Sequence, residues 1–142
     1  MKRVILLTLI IVPLLLSGCK NTYCPSDEVE IAIDEMESLA EEWDDAYAIA
    51  SSTSRMALSG PIGDMQEIKR EVGDMVVPPC LESSVVNLEK SMEFTINGFI
   101  AFLGQEDDDD VVYYFDMANK FQDNWSDDIA EIMECLPKCK EP

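Results

Sequence analysis

The chain has 142 residues, of which 29 are acidic and 10 are basic, and its formal net charge is −19. Such a chain repels nucleic acids and anionic lipid headgroups, which argues against nucleic-acid binding. It contains no histidine, which excludes Ser-His-Asp and Cys-His catalytic groups, His-ligated zinc and the Glu-x-x-His motif of di-iron bundles.

Residues 1–18 have the parts of a secretory signal. Lys2 and Arg3 supply positive charge, and the segment 4–16 that follows is almost entirely apolar. This segment is 13 residues long, whereas a membrane-spanning helix needs about 20. A basic start, a short apolar centre and small residues before a cleavage site therefore predict a signal peptide rather than a transmembrane helix.

The signal ends in Leu16-Ser17-Gly18-Cys19, which resembles the lipobox of bacterial lipoprotein precursors. The resemblance covers residues 1–20 and implies cleavage between Gly18 and Cys19. It also implies a diacylglycerol on the Cys19 thiol and an acyl chain such as palmitate on its amine, and chains in this number anchor a protein durably. We therefore expect a lipid-anchored protein of the bacterial cell envelope, with its domain facing the periplasm or the cell exterior. Lys20 at the next position implies export to the outer membrane, as in lipoproteins of enteric-type bacteria.

Removal of the signal leaves 142 − 18 = 124 residues, a length typical of one domain. We divide them into a lipidated tether, 19–26, and a helical domain, 27–142. The signal holds two basic residues and no acidic one, so the mature charge is 8 − 29 = −21. This charge favours basic, cationic or apolar partners, although solubility or life in a salty medium is the simpler explanation of it.

The first helix is expected to begin with Ser26 or Asp27 as its N-cap, with Glu30 completing a capping box. Like-charge pairs such as Glu37–Glu41 oppose the helix, so packing must hold it. The apolar residues recur at alternating spacings of four and three, which predicts a seam against other helices. They are Val29, Ile33, Met36, Ala40, Trp43, Tyr47 and Ala50.

Two further helices are predicted after a break at 51–54. The second begins at Pro61, a favoured first position, and ends by 77–79. The third runs from about Cys80 to Leu103, and its seam is Leu81, Val85, Leu88, Met92, Ile96, Phe99 and Leu103.

The second half of the third helix, from Phe94, is apolar nearly all round and should be the most buried part of the domain. Gly98 would let a large neighbour approach, and Gly104 is a natural residue to follow a helix end. A ligand pocket among the phenylalanines is an alternative to plain core packing, which is the commoner use of aromatics at helical spacing.

The fourth helix is expected to follow an acidic run and to end at Pro137. Its inward-facing residues would be Val111, Tyr114, Phe115, Ala118, Phe121, Trp125, Ile129, Ile132 and Leu136. With no strand pattern, the prediction is an all-α fold, an antiparallel up-down bundle of three to four helices.

In an up-down order, Cys24, Cys80, Cys135 and Cys139 all fall at the membrane-near end. An even number of cysteines in an exported domain indicates disulfides. We expect two long-range bonds, Cys24 with Cys139 or Cys135 and Cys80 with the other, each stabilising by roughly 2–4 kcal/mol. A Cys135–Cys139 bond alone and a four-thiolate metal site are the alternatives.

The acidic run, Asp107, Asp108, Asp109 and Asp110, would lie at the opposite end. Its carboxylates could bind a hard cation such as Ca²⁺. The EF-hand pattern fails, however, because Val112 and Ala118 occupy the positions of its glycine and last glutamate. Acidic residues are also favoured at any helix N-terminus, so a solvated cap is the simpler interpretation.

Three functions remain. The leading one is a non-enzymatic binding or envelope-structural module with an acidic surface, with no cofactor beyond the lipid on Cys19. The mature part resembles helical lipoproteins in general, which implies no particular activity. The alternative is weak binding or buffering of calcium. An enzyme is the least favoured, because carboxylates such as Glu37 and Glu41 face solvent, where nothing prepares them for acid–base catalysis.

Overall fold

The computed structural model describes residues 25–139, without the side chains of Ser26 and of 137–139. The signal segment, the lipidation site Cys19 and Cys24 lie outside the described residues.

The described chain forms four helices, α1 (Ser26–Ser52), α2 (Ser59–Asp74), α3 (Glu82–Gly104) and α4 (Asp108–Cys139). A short 3-10 turn, Arg55–Ala57, stands between α1 and α2. This part of the chain contains no strand, which confirms the all-α prediction. None of its helices combines the length and the apolar character needed to cross a membrane.

The start of α1 differs from the expected capping box. Pro25 is the N-cap, makes no side-chain capping bond, and accepts a backbone hydrogen bond at 3.1 Å from the N–H of Val29. The prediction of Ser26 or Asp27 as N-cap was therefore wrong. A proline is tolerated here because the first turn of a helix uses none of its own N–H groups internally.

The inner face of α1 is wider than the predicted seam. Ala32, Leu39 and Ala46 are buried although they were left off it, while Tyr47 is 41% exposed although it was placed on it. A straight α-helix has 3.6 residues per turn, so a strict seven-residue repeat shifts gradually around its surface. Positions next to the predicted seam therefore also enter the core.

Helix α3 ends one residue later than predicted. Gly104 is its last helical residue, and Gln105 takes the left-handed conformation with φ 59°. The N–H of Glu106 donates to the carbonyl of Ala101 at 3.1 Å, the closing bond of a Schellman-type end. The expectation that Gly104 would follow the helix was therefore wrong by one position.

The second half of α3 is less uniformly buried than predicted, because Ile100 and Phe102 are 42% and 40% exposed. Helix α4 also continues past Pro137 to Cys139. Proline has no backbone N–H, so it removes one hydrogen bond of the helix. In the last turn this loss affects only the few residues that follow. The prediction that Pro137 ends the helix was thus wrong by two residues.

The tightest helix pair is α3 with α4. Asn87 donates a hydrogen bond at 2.9 Å to Asp128, and the rings of Phe94 and Phe121 stack at 5.5 Å between centroids. Moving forward along α3 therefore means moving backward along α4, so the two helices run antiparallel. The shared core draws most of its buried side chains from α1, α2 and α3, with Leu58 and Leu81 from the residues just before α2 and α3 and Leu136 from α4.

Candidate functional site

The outer face of α1 carries the highest density of one sign of charge on any helix of the described chain. Of the 27 residues of α1, ten are acidic and none is basic. All ten are exposed. They are Asp27, Glu28, Glu30, Asp34, Glu35, Glu37, Glu41, Glu42, Asp44 and Asp45. We call this set the acidic face of α1.

The central part of the acidic face, from Asp34 to Asp45, is not neutralised by the described residues of the domain. Among the described residues, none of the carboxylates from Asp34 to Asp45 has an ion-pair partner, whereas α2 and α3 are joined by Lys69 and Glu89 at 3.5 Å. Other basic side chains contact aromatic rings instead. The guanidinium of Arg55, for example, lies 4.3 Å from the centre of the Phe102 ring. The field of the acidic face therefore extends into solvent, screened by salt over about 10 Å at 0.1 M.

The inner side of α1 explains why a helix with so many like charges forms. Val29 and Met36 are 0% exposed and Trp43 is 8% exposed. Like charges four residues apart destabilise a helix by only a few tenths of a kcal/mol per pair, while burial of one large apolar side chain contributes roughly 1.5–3 kcal/mol. Packing therefore outweighs repulsion and holds the carboxylates outward.

A groove lies beside the acidic face, between the second half of α1 and the first half of α2. Its volume is about 270 Å³. The lining residues are spaced at three, four and seven, so one face of each helix forms one wall. They are Glu42, Asp45, Ala46 and Ile49 from α1, and Pro61, Asp64 and Ile68 from α2.

The groove combines apolar walls with acidic groups. Its apolar residues include Ile49, which is 57% exposed, and its charged residues are Glu42, Asp45 and Asp64, all exposed. No basic residue lines it. This arrangement suits a ligand that has an apolar part and a positive charge.

The sequence did not single out this groove. Ile49 lies off the predicted seam of α1, and an apolar residue off the seam is a weak signal because single exposed apolar residues are common on protein surfaces. Asp64 in α2 became part of the groove only through the packing of α2 against α1, which spacing within one helix does not reveal.

The predicted acidic run at the start of α4 is where the sequence placed it. Asp107 to Asp110 are all exposed, and the carbonyl of Asp107 accepts backbone hydrogen bonds from Asp110 at 3.0 Å and Val111 at 3.2 Å. The described residues include no group of three or more acidic or cysteine side chains able to hold one metal ion. Calcium binding by this run stays a prediction.

Two of the predicted disulfide cysteines lie at one end of the α3–α4 pair. Asn87 and Asp128 are hydrogen-bonded across it. Cys80 lies seven residues before Asn87, and Cys135 lies seven residues after Asp128. Cys80 lies in the turn just before α3 begins at Glu82 and Cys135 lies near the end of α4, so both stand near that end of the pair. Cys24 and the side chain of Cys139 lie outside the description.

The aromatic residues of α3 and α4 serve packing. Phe99 meets Phe115 edge to face at 5.4 Å between ring centres, and the ring of Phe115 approaches Gly98 so closely that a Cβ there would lie 3.0 Å from it. The prediction that Gly98 admits a large neighbour is therefore confirmed, and the rings of Phe99 and Phe115 pack in the core.

Comparison of the chain with protein-family models, with curated proteins and with solved structures gives no match.

Proposed function

We propose that this protein is a lipid-anchored lipoprotein of the bacterial cell envelope whose helical domain is a non-enzymatic binding module for a basic partner. The observation that carries the binding role is the acidic face of α1, ten exposed carboxylates on one helix with no basic residue. A surface of one sign steers an oppositely charged partner and raises its association rate.

The anchor part of the proposal is supported by Lys2, Arg3 and the Leu16-to-Cys19 motif. The tether from Lys20 to Pro25 is six residues long and extends at most about 22 Å. Because α1 follows this tether directly, its acidic face would begin close to the membrane, where a partner is either another envelope protein or a soluble basic protein arriving at the surface.

We also propose that the four helices form an up-down bundle closed by disulfides at the membrane-near end. The antiparallel contacts of α3 with α4 support the order of those two helices. The position of Cys80 just before α3 and of Cys135 near the end of α4 supports the tie. Peptide mapping without reduction decides the pairing. Linkage of the Cys24 peptide to that of Cys135 or Cys139 is expected, and a Cys135–Cys139 bond alone would contradict a long-range tie.

The anchor is tested by metabolic labelling with a fatty acid in a bacterial host. The parent chain should incorporate label and sediment with membranes, whereas a Cys19→Ser variant should do neither. Cys24→Ser is the matched control, because it removes a cysteine of the tether without touching the lipobox. Label retained by Cys19→Ser, or a soluble parent chain, would overturn the anchor.

The binding role is tested on the purified mature chain with short lysine peptides as the probe. The affinity should fall steeply as NaCl rises, and acidic peptides of equal length should not bind at any salt concentration. Equal binding of acidic and basic peptides, or no binding at low salt, would contradict the proposal.

A further inference from the structure

The groove between α1 and α2 offers more than negative charge. It has three carboxylates, from Glu42, Asp45 and Asp64, above apolar surface from Ala46, Ile49, Pro61 and Ile68. A surface selected only for solubility needs no apolar groove beside its charged residues. The arrangement matches a side chain with a hydrocarbon stem and a cationic end, which is the design of lysine and arginine.

The volume of the groove also limits the size of the ligand that it can hold. Pockets that enclose whole small molecules occupy roughly 300–1,000 Å³, whereas this groove measures about 270 Å³. It therefore lies just below this range, at a size that accommodates a single long side chain. A multivalent metal ion is also a poor fit, since no three of the described carboxylates come together as ligands.

The position of the groove connects it to the acidic face. Glu42 and Asp45 belong to both, and the remaining carboxylates of α1 extend from them towards the start of the helix. A partner with several basic residues could therefore place one in the groove while others lie along α1. The long-range electrostatic field of α1 would attract the partner, and the groove would determine the orientation in which the partner binds.

We propose that the α1–α2 groove is the specificity site for one lysine or arginine side chain of a basic protein partner. This inference rests on the proposed binding function and adds its recognition element. The stem lies against Ile49 and Ile68, and the cationic end is held among the carboxylates of Asp45 and Asp64.

The test varies the stem at constant charge. The probes are short acetylated and amidated peptides in which serine alternates with lysine, ornithine or 2,4-diaminobutyrate, titrated into the mature chain at moderate salt. Each buried methylene contributes two- to fourfold in affinity by an order-of-magnitude estimate, so lysine should bind about four- to fifteenfold more tightly than diaminobutyrate. Equal affinities would overturn the groove while leaving the proposed function intact.

Two variants locate the effect. Ile49→Ser should abolish the preference for lysine over diaminobutyrate, because it removes apolar surface without changing charge. Ile31→Ser is the matched control, since Ile31 lies on the same helix, is 68% exposed and does not line the groove. Loss of the preference in both variants, or in neither, would overturn the assignment.

A charge pair completes the test. Asp64→Asn should weaken lysine-peptide binding by about two- to fivefold, the range of one exposed ion pair, and Asp34→Asn by less than twofold at moderate salt. Equal weakening would show that only diffuse charge matters, which contradicts the groove but not the proposed function. Absence of binding by every peptide would contradict both.

Discussion

The contact surface of α3 with α4, which we call the seam of this pair, differs from the acidic face of α1 in how it uses polar groups. In the seam, two pairs of polar side chains are hydrogen-bonded from one helix to the other. Asn87 donates to Asp128 at 2.9 Å, and Ser91 donates to Gln122 at 3.2 Å. On α1, the carboxylates from Asp34 to Asp45 have no ion-pair partner among the described residues.

This difference separates stability from binding within one small domain. A partnered, partly buried polar group fixes the register of two helices, and its removal leaves the other group unsatisfied. An exposed, unpartnered carboxylate contributes little to folding and keeps its charge available to a ligand. The seam should therefore respond to mutation through the free energy of unfolding, and the acidic face through binding.

The largest expected effect comes from a substitution that leaves a cavity in the core beside the seam. Leu88 is 2% exposed, so Leu88→Ala should lower the free energy of unfolding by about 2–5 kcal/mol. Glu37→Ala on the acidic face should change it by less than about 0.5 kcal/mol. Urea titrations of both variants in the absence of reducing agent measure the contrast. Similar losses would mean that the acidic face is also structural.

A glycine pair probes the closeness of the seam. Gly98→Ala should destabilise by about 1 kcal/mol, because crowding of the Phe115 ring costs roughly 1–3 kcal/mol and exceeds the gain in helix propensity. Gly63 in α2 has nothing within 4 Å of an added Cβ, so Gly63→Ala should stabilise by about 0.5–1 kcal/mol. Thermal melts of both proteins are the measurement, and stabilisation by Gly98→Ala would show that the seam is loose.

A charge reversal probes the repulsion on α1. Glu41→Lys replaces two like-charge contacts, with Glu37 and Asp45, by two attractive ones. It should therefore stabilise by about 1 kcal/mol at low salt. In 1 M NaCl the gain should disappear because the charges are screened. Glu41→Gln is the control and should give about half the gain. A gain unaffected by salt would have a cause other than charge.

The smallest effect concerns the end of α3. Gln105 has φ 59°, a conformation that glycine adopts without steric cost. Gln105→Gly should therefore stabilise by about 0.5–1 kcal/mol in urea titration. Gln66→Gly in the middle of α2 is the control and should destabilise by a similar amount. Destabilisation by Gln105→Gly would mean that its side chain contributes to the end of the helix.

Much of this fold follows from the sequence by local rules. Apolar spacing of three and four placed all four helices, and the inward positions of Met36 and Leu88 follow directly from it. The details that failed depend on neighbours. Burial of Leu39 depends on how far α1 is wrapped by the other helices, and the choice of Gln105 over Gly104 as the left-handed residue depends on where α3 stops packing.

The candidate site divides in the same way. The acidic face is visible in the sequence, because ten acidic residues without a basic one within one helix need no tertiary information. The groove is not, because Ile49 and Asp64 belong to different helices and meet only through the packing of α1 on α2. A single sequence gives no measure of that packing.

The proposed function requires that the charge of α1, rather than the net charge of the domain, recognises the basic partner. It is tested by titrating a lysine peptide over a series of NaCl concentrations into two variants that each lose four negative charges. The α1 variant combines Asp34→Asn, Glu37→Gln, Glu41→Gln and Asp44→Asn. The α4 variant combines Asp116→Asn, Asp123→Asn, Asp127→Asn and Glu131→Gln.

We expect about tenfold weaker binding and a shallower salt dependence for the α1 variant, the sum of several exposed ion pairs. The α4 variant should bind within about twofold of the parent at moderate salt. Equal weakening of the two variants would contradict the claim, because the peptide would then sense only the overall charge of the domain.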